Sequence, residues 1–206
     1  MKNEILFTEL SNISDKVDDR LYEFVSEEKK AYLKNFKYIV DCKLSLYAEL
    51  LVRQKIMNIT GIKNEEIIFS KGSNGKPFLV GYPKINFNIS HTRNALAVAF
   101  SEEEIGVDIE RAATADLQVA KRCFCDAELD YLYKHENINS AFFEIWTKKE
   151  AYIKSSGIGL NIPLKSFCVI GDSRYKTFYA GDYIISAFED SDRLSRTELT
   201  PVIPVF

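Results

Sequence analysis

A chain of 206 residues that is 46% hydrophobic and 28% charged has the make-up of an ordinary soluble globular protein, in one large domain or two small ones. Its formal charge of −3, from 27 basic and 30 acidic side chains, gives no global attraction to nucleic acid or to an anionic membrane, so an anionic ligand needs a local basic cluster. No run reaches the ~18 apolar residues of a membrane span, and the opening MKNEILFTELSNISDK lacks the order of a signal peptide, which together point to a cytoplasmic protein.

Ser26, followed by Glu27 and Glu28, predicts a helix start with acids in its first turn and Lys29, Lys30 and Lys34 beyond. Asp41 can cap a second helix, in which Leu44, Tyr47, Leu50, Leu51 and Ile59 recur at helical spacing and read as core. Short strands follow over 67–70, 78–80 and 85–89, the first two joined by the turn KGSNGKP. That turn is no phosphate-binding P-loop, because Pro77 follows Lys76 and a strand comes next instead of a helix. A hairpin with an ordinary exposed Lys76 accounts for it.

Strands over 95–100 and 105–109 flank the acidic turn SEEE. Thr114 and Asp126 are candidate caps for two short helices, and a longer helix covers about 140–155. Strands close the chain over 166–170, 175–179 and 183–188, and the two prolines of TPVIPVF exclude a final helix. ALAVAFSEE at 95–103 and YIISAFEDS at 183–191 echo each other, as two similar halves facing across a cleft would. The cysteines Cys42, Cys123, Cys125 and Cys168 lack paired metal-ligand spacing, and only His91 and His135 could supplement them, so they read as reduced, mostly buried thiols.

In EIGVDIER the apolar Ile105, Val107 and Ile109 alternate with Gly106, Asp108 and Glu110. A strand therefore sets Asp108 and Glu110 ~7 Å apart on one face. Such a pair is either a solvated acidic face or part of a site for Mg²⁺, which takes hard oxygen ligands and completes its shell with water or phosphate. In AFFEIWTKKEAYIK a helix gathers Phe142, Ile145, Trp146 and Ile153 into an apolar stripe that includes Lys149, while Glu150 and Lys154 share its edge. Taken alone this is a helix-stabilising Glu–Lys pair with a snorkelling Lys149. Beside Asp108 and Glu110 it offers a third carboxylate to a metal and two ammonium groups to phosphate.

In NFNISHT, Ser90 and His91 are strand neighbours that point apart, which excludes a nucleophile and its base. With hard carboxylates as the candidate ligands, a metal role for His91 is weak. Ser90, His91, Thr92 and nearby backbone N–H groups are instead phosphate donors at a strand end, with a buried, satisfied histidine as the alternative.

Taken in order, SNGKPFL, FNISHT, GVDIE and WTKKEAYIKSSGIGL resemble the 4′-phosphopantetheinyl transferases of the Sfp type, over about residues 26–169. The resemblance implies an α+β fold of two similar, pseudo-twofold α/β halves, each a small antiparallel sheet packed with helices, over 1–103 and 104–206, with the active site in the cleft. It implies transfer of the phosphopantetheine arm of coenzyme A to a serine of an apo acyl or peptidyl carrier protein, with Mg²⁺ and release of adenosine 3′,5′-bisphosphate. By motif, Asp108, Glu110 and Glu150 would hold Mg²⁺, Glu150 would be the base, and Lys154 would grip the pyrophosphate. Ser90, His91, Lys29, Lys43 and Lys149 would serve the phosphates, and Gly75, Lys76 and Pro77 the adenine end. Gly157, Gly159 and Leu160 would lie where the carrier docks.

Two positions depart from the family pattern. Tyr32 stands where a lysine is usual, and Leu44 where an arginine is common, with Lys43 one position early and so turned by ~100° on a helix. Grip on the 3′-phosphate is the part of the transfer that these changes touch. A monomer is expected, since two halves in one chain supply both walls of a cleft. The competing classes are another metal-dependent phosphoryl enzyme, such as a nuclease or pyrophosphatase, and a non-enzymatic α/β binding module whose acids are solvated.

Overall fold

The computed structural model describes residues 2–10, 17–72, 74–157 and 162–202. The chain runs β1 (Glu4–Glu9), α1 (Glu27–Leu33), α2 (Ile39–Thr60), β2 (Phe69–Lys71), β3 (Pro77–Leu79), β4 (Asn86–Thr92) and β5 (Ala95–Ser101). It continues with β6 (Ile105–Arg111), α3 (Leu117–Cys123), α4 (Asp126–Lys134), α5 (Ile138–Ser156), β7 (Tyr175–Ala180), β8 (Tyr183–Glu189) and β9 (Leu199–Pro201). Among the described residues no helix is long and apolar enough to cross a membrane.

The strands form a sheet of order β4-β5-β1-β9, a sheet of order β6-β8-β7 and the small hairpin β2-β3. All pairings are antiparallel except β1 with β9, which is parallel. The last strand of each antiparallel hairpin, β5 or β8, lies at the middle of its three-strand set, between its hairpin partner and an earlier strand. The echoing segments ALAVAF and YIISAF are these two central strands, and every residue in both is buried.

The two larger sheets pack face to face. Ile5 and the small Ala95, Ala97 and Ala99 meet Ile105, Val107, Ile109, Tyr183, Ile185 and Ala187 in one apolar layer. On the outer face of the first sheet Leu6, Leu96, Val98 and Phe100 pack with the buried side of α2. On the outer face of the second lies α5, so close that a Cβ on Gly106 would stand 1.9 Å from the Ala151 carbonyl oxygen and 2.5 Å from the Ser155 nitrogen. Thr147 of α5 and Ser186 of β8 exchange a hydrogen bond of 2.8 Å across the same contact.

Several sequence expectations need correction. β1 was not expected, because Ile5 joins the layer between the sheets and Leu6 the layer under α2, so both faces are covered and the alternation that marks a strand disappears. The second helix starts at Ile39 after Tyr38, which gives no side-chain cap, and Asp41 sits in its first turn. Asp116, not Thr114, caps α3, accepting from Gln118 and Val119. Cys125 precedes α4, whose first residue is Asp126.

No strand forms over 166–170. The backbone there is satisfied by side chains instead: the Phe167 carbonyl accepts from Lys149 Nζ at 2.8 Å, and the Val169 N–H donates to Glu128 at 2.9 Å. Lys149 and Glu128 are both 0% exposed and lie 2.8 Å apart, with the Leu164 carbonyl as a third partner of the ammonium at 2.7 Å. Lys149 is thus a buried structural cation and faces no ligand space, contrary to its expected place among the phosphate groups.

Two outcomes follow from this packing. Gly106→Ala, which drives a methyl into helix backbone that cannot swing aside, is expected to destabilise by about 3 kcal/mol or more in urea unfolding. Lys149→Met leaves Glu128 buried without its cation and is expected to cost about 3–5 kcal/mol by the same measurement.

Candidate active site

The edge strands β4 and β6 lie alongside each other in parallel, joined by side chains. Asn88 Oδ1 accepts from the Val107 N–H at 2.9 Å, Ser90 Oγ donates to Asp108 Oδ1 at 2.8 Å, and Thr92 Oγ1 donates to Glu110 Oε2 at 3.1 Å. The two-residue period of each strand sets this spacing, with alternate residues of β4 facing alternate residues of β6. Ser90 is buried and His91 is exposed, as expected of strand neighbours.

Asp108 is the centre of the seam. It is 4% exposed, its Oδ1 also accepts from Lys154 Nζ at 2.5 Å, and Lys154 Nζ donates in turn to Ser90 Oγ at 2.8 Å. Its second oxygen, Oδ2, is buried with no hydrogen-bond partner. A buried carboxylate oxygen left unpaired is unfavourable and suits a site built to receive a cation or a donor.

Glu110 and Glu150 feel this charge. Burial raises the Glu110 pKa first, the negative Asp108 raises it further and Glu150 adds to this, while Thr92 and Lys154 act against the rise. Glu150 is raised by burial and then by Asp108, with Lys154 opposing. The three acids and Lys154 therefore share one electrostatic neighbourhood, supplied by β6 and α5. Their oxygens do not all lie within 4.8 Å of one another. Among the described residues the cluster with that spacing is Cys125, Glu128 and Cys168. The donor set, three carboxylates with one orphaned oxygen, nevertheless fits a hard divalent cation better than a soft one.

The basic groups expected around the site divide. Although His91 is exposed by surface area, desolvation of its ring lowers its pKa, Lys154 and Lys29 lower it further and Asp41 opposes, so its ring feels charges from α1, α2 and α5. Lys29 donates to Ser45 at 3.0 Å and lies 3.4 Å from Glu49, and burial is the first cause of its lowered pKa. The ring of Tyr32 covers it at 5.6 Å. Lys43 is 6% exposed and Leu44 1%, so Leu44 belongs to the core.

Lys76 has a mechanical role that spacing did not disclose. Its ammonium donates to the Ser155 carbonyl at 2.9 Å, to the Ile105 carbonyl at 3.3 Å and to Glu104 at 2.5 Å, while Asn74 donates to the Gly157 carbonyl at 2.7 Å. The turn thereby caps the C-terminus of α5, where a cation also suits the helix dipole, and ties it to the start of β6. Gly75, at φ +83°, shapes the turn. Lys76, Pro77, Phe78, Phe87 and Gly157 line part of a cavity of about 260 Å³ beside it. Gly159 and Leu160 lie outside the described residues.

Sequence reasoning missed the pairing of β4 with β6. Its signal was present, since Asn88, Ser90 and Thr92 form a polar face of one strand as Asp108 and Glu110 do of another.

The pattern described as 4′-phosphopantetheinyl transferase, N-terminal, matches residues 14–103, and that of the 4′-phosphopantetheinyl transferase superfamily matches residues 104–194. The 4′-phosphopantetheinyl transferase gsp of Aneurinibacillus migulanus is 38% identical over 172 residues, covering 81% of this chain and 70% of its own. The 4′-phosphopantetheinyl transferase Sfp of Bacillus subtilis (strain 168) is 35% identical over 159 residues, covering 76% of this chain and 71% of its own. The L-aminoadipate-semialdehyde dehydrogenase-phosphopantetheinyl transferase of Xenopus laevis is 29% identical over 157 residues, 52% of its length. With both segments matched and two such relatives aligned over most of their length, the chain belongs to the 4′-phosphopantetheinyl transferase superfamily.

Proposed function

We propose that this protein transfers the 4′-phosphopantetheine group of coenzyme A to a serine hydroxyl of an apo acyl or peptidyl carrier protein, releasing adenosine 3′,5′-bisphosphate. The observation that carries the proposal is Asp108: a buried carboxylate held by Ser90 and Lys154, with one oxygen unpaired, beside Glu110 and Glu150. Asp108, Glu110 and Glu150 would hold Mg²⁺, which when bound supplies neutralisation of pyrophosphate charge.

The chain's own residues have the remaining tasks. Lys154 leaves Asp108 for the pyrophosphate and stabilises charge as it develops, since phosphoryl transfer needs alignment and electrostatics more than covalent help. Ser90 and His91 orient the phosphates from the end of β4. Glu150 accepts the proton of the attacking serine. Lys29 and Lys43 serve the phosphate end, and the turn of Gly75, Lys76 and Pro77 borders the adenine, its side chain at Lys76 being engaged with α5.

The architecture is read as two similar halves, 1–103 and 104–206, in a monomer. Support comes from the common strand order, with β5 and β8 central, and from the family matches, which meet between 103 and 104. β9 is the exception, since it returns from the second half to the first sheet.

The direct test is to incubate the protein with coenzyme A, Mg²⁺ and a panel of apo carrier proteins and weigh the carriers. A gain of one phosphopantetheine is expected. Asp108→Ala and Glu150→Ala should each lower the rate by about 100-fold or more; Glu150→Ala, which removes a repelling charge, should keep its fold, whereas Asp108→Ala also takes the partner from Lys154 and Ser90 and should lower the melting temperature. Unchanged carriers alongside hydrolysis of another phosphate substrate would assign the acids to a different phosphoryl enzyme. No coenzyme A binding at all would leave a non-enzymatic module.

A second expectation concerns pH. Glu110 and Glu150 ionise less readily folded than at their ordinary 4.5, so without metal their contribution to stability falls as pH rises from about 4.5 through their folded values. Mg²⁺ should therefore raise the melting temperature at pH 8, and the increment should vanish at pH 4, where the acids are protonated. Asp108→Ala should reduce the increment at pH 8. An increment independent of pH would contradict the assignment.

A further inference from the structure

Away from the active site, Cys125 stands at the start of α4 and Cys168 in the segment after α5. Their sulfurs and a Glu128 oxygen all lie within 4.8 Å of one another. Neither is in a disulfide; Cys168 is exposed and Cys125 partly so. Glu128 already accepts from the Cys125 N–H at 2.8 Å, the Val169 N–H at 2.9 Å and Lys149 at 2.8 Å. With its charge neutralised by Lys149 and three donors already on its oxygens, it is a poor third ligand for a metal. Two thiols remain that face each other.

Their meeting is fixed by the core. The backbone of Cys125 is tied to Glu128, and the neighbours of Cys168 on either side are tied to Lys149 through the Phe167 carbonyl and to Glu128 through the Val169 N–H. One buried ion pair thus holds both cysteines in register although they are far apart in sequence. We propose that Cys125 and Cys168 form a reversible dithiol–disulfide site, oxidised by a small disulfide such as glutathione disulfide.

The step balances as two exchanges. The Cys168 thiolate attacks one sulfur of glutathione disulfide, forming a mixed disulfide and releasing one glutathione thiolate. Cys125 then loses its proton to solvent and attacks Cys168 Sγ, forming the 125–168 bond and releasing the second glutathione. Two protein thiols are oxidised and one glutathione disulfide is reduced. Cys168, the exposed thiol, is the entry point; burial and the contact with Cys168 push the Cys125 thiol up to about 11, so it is the poorer first nucleophile and attacks only once the mixed disulfide is held beside it.

The test uses the whole protein, folded, at pH 8 with glutathione disulfide, followed by alkylation in denaturant and peptide mass mapping. Two of the four cysteines should be lost to alkylation, joined as a 125–168 crosslink and restored by dithiothreitol. The oxidised protein should melt about 5–10 °C higher, since the bond restrains the unfolded chain. Cys168→Ser should abolish the crosslink and Cys125→Ser should stop the reaction at a glutathione adduct on Cys168, whereas Cys42→Ser and Cys123→Ser should leave it intact. Melting of each variant under reducing conditions establishes that it is folded. Four free thiols after treatment, a crosslink through Cys123, or a glutathione adduct on Cys168 that persists in the unaltered protein would each overturn the proposal.

Discussion

The structure depends on how Asp108 is compensated. A carboxylate at the seam of two edge strands has lost its water, and one cation and one hydroxyl replace part of it. Lys154 reaches it from α5 and Ser90 from β4, so a single charge on β6 draws together a helix and one edge strand of each larger sheet. The compensation is incomplete by one oxygen. An interior that tolerates such a gap gives up stability where a ligand is to enter, and Glu110 and Glu150, both resisting ionisation, add to the same local cost.

The approach of α5 to β6 makes that site stiff. With no side chain at Gly106 the helix backbone rests directly on the strand, and Lys76 with Asn74 tie its last turn to the start of β6. Glu150 and Lys154 therefore project from a helix fixed in both height and rotation relative to Asp108. Positions that do no chemistry set the distances among those that could.

Much of this was legible in the sequence, for definable reasons. The strand period placed Asp108 with Glu110 and parted Ser90 from His91, and the helical period placed Glu150 with Lys154. What periodicity leaves out is the partner on another element. Lys149 and Glu150 are adjacent, yet Lys149 ends in the core because Glu128 and two carbonyls await it there, a fact that no spacing within α5 contains. The same limit explains Lys76, which looked like a surface lysine until α5 ended beside it. The strand expected over 166–170 failed because apolar residues there are anchored through side chains of the buried ion pair and not through a ladder. β1 escaped notice because a strand covered on both faces has no polar side to alternate with.

The parallel pairing of β1 with β9 has a consequence for biosynthesis. β1 emerges from the ribosome early, but one of its flanks has no neighbour until β9 is translated, after almost all of the intervening chain. A chain that lacks β9 would leave that margin of the first sheet unpaired, and an unpaired strand edge is a template for pairing with another chain. Closure of that margin needs contacts across almost the whole described chain, which makes it the pairing with the largest loop to close.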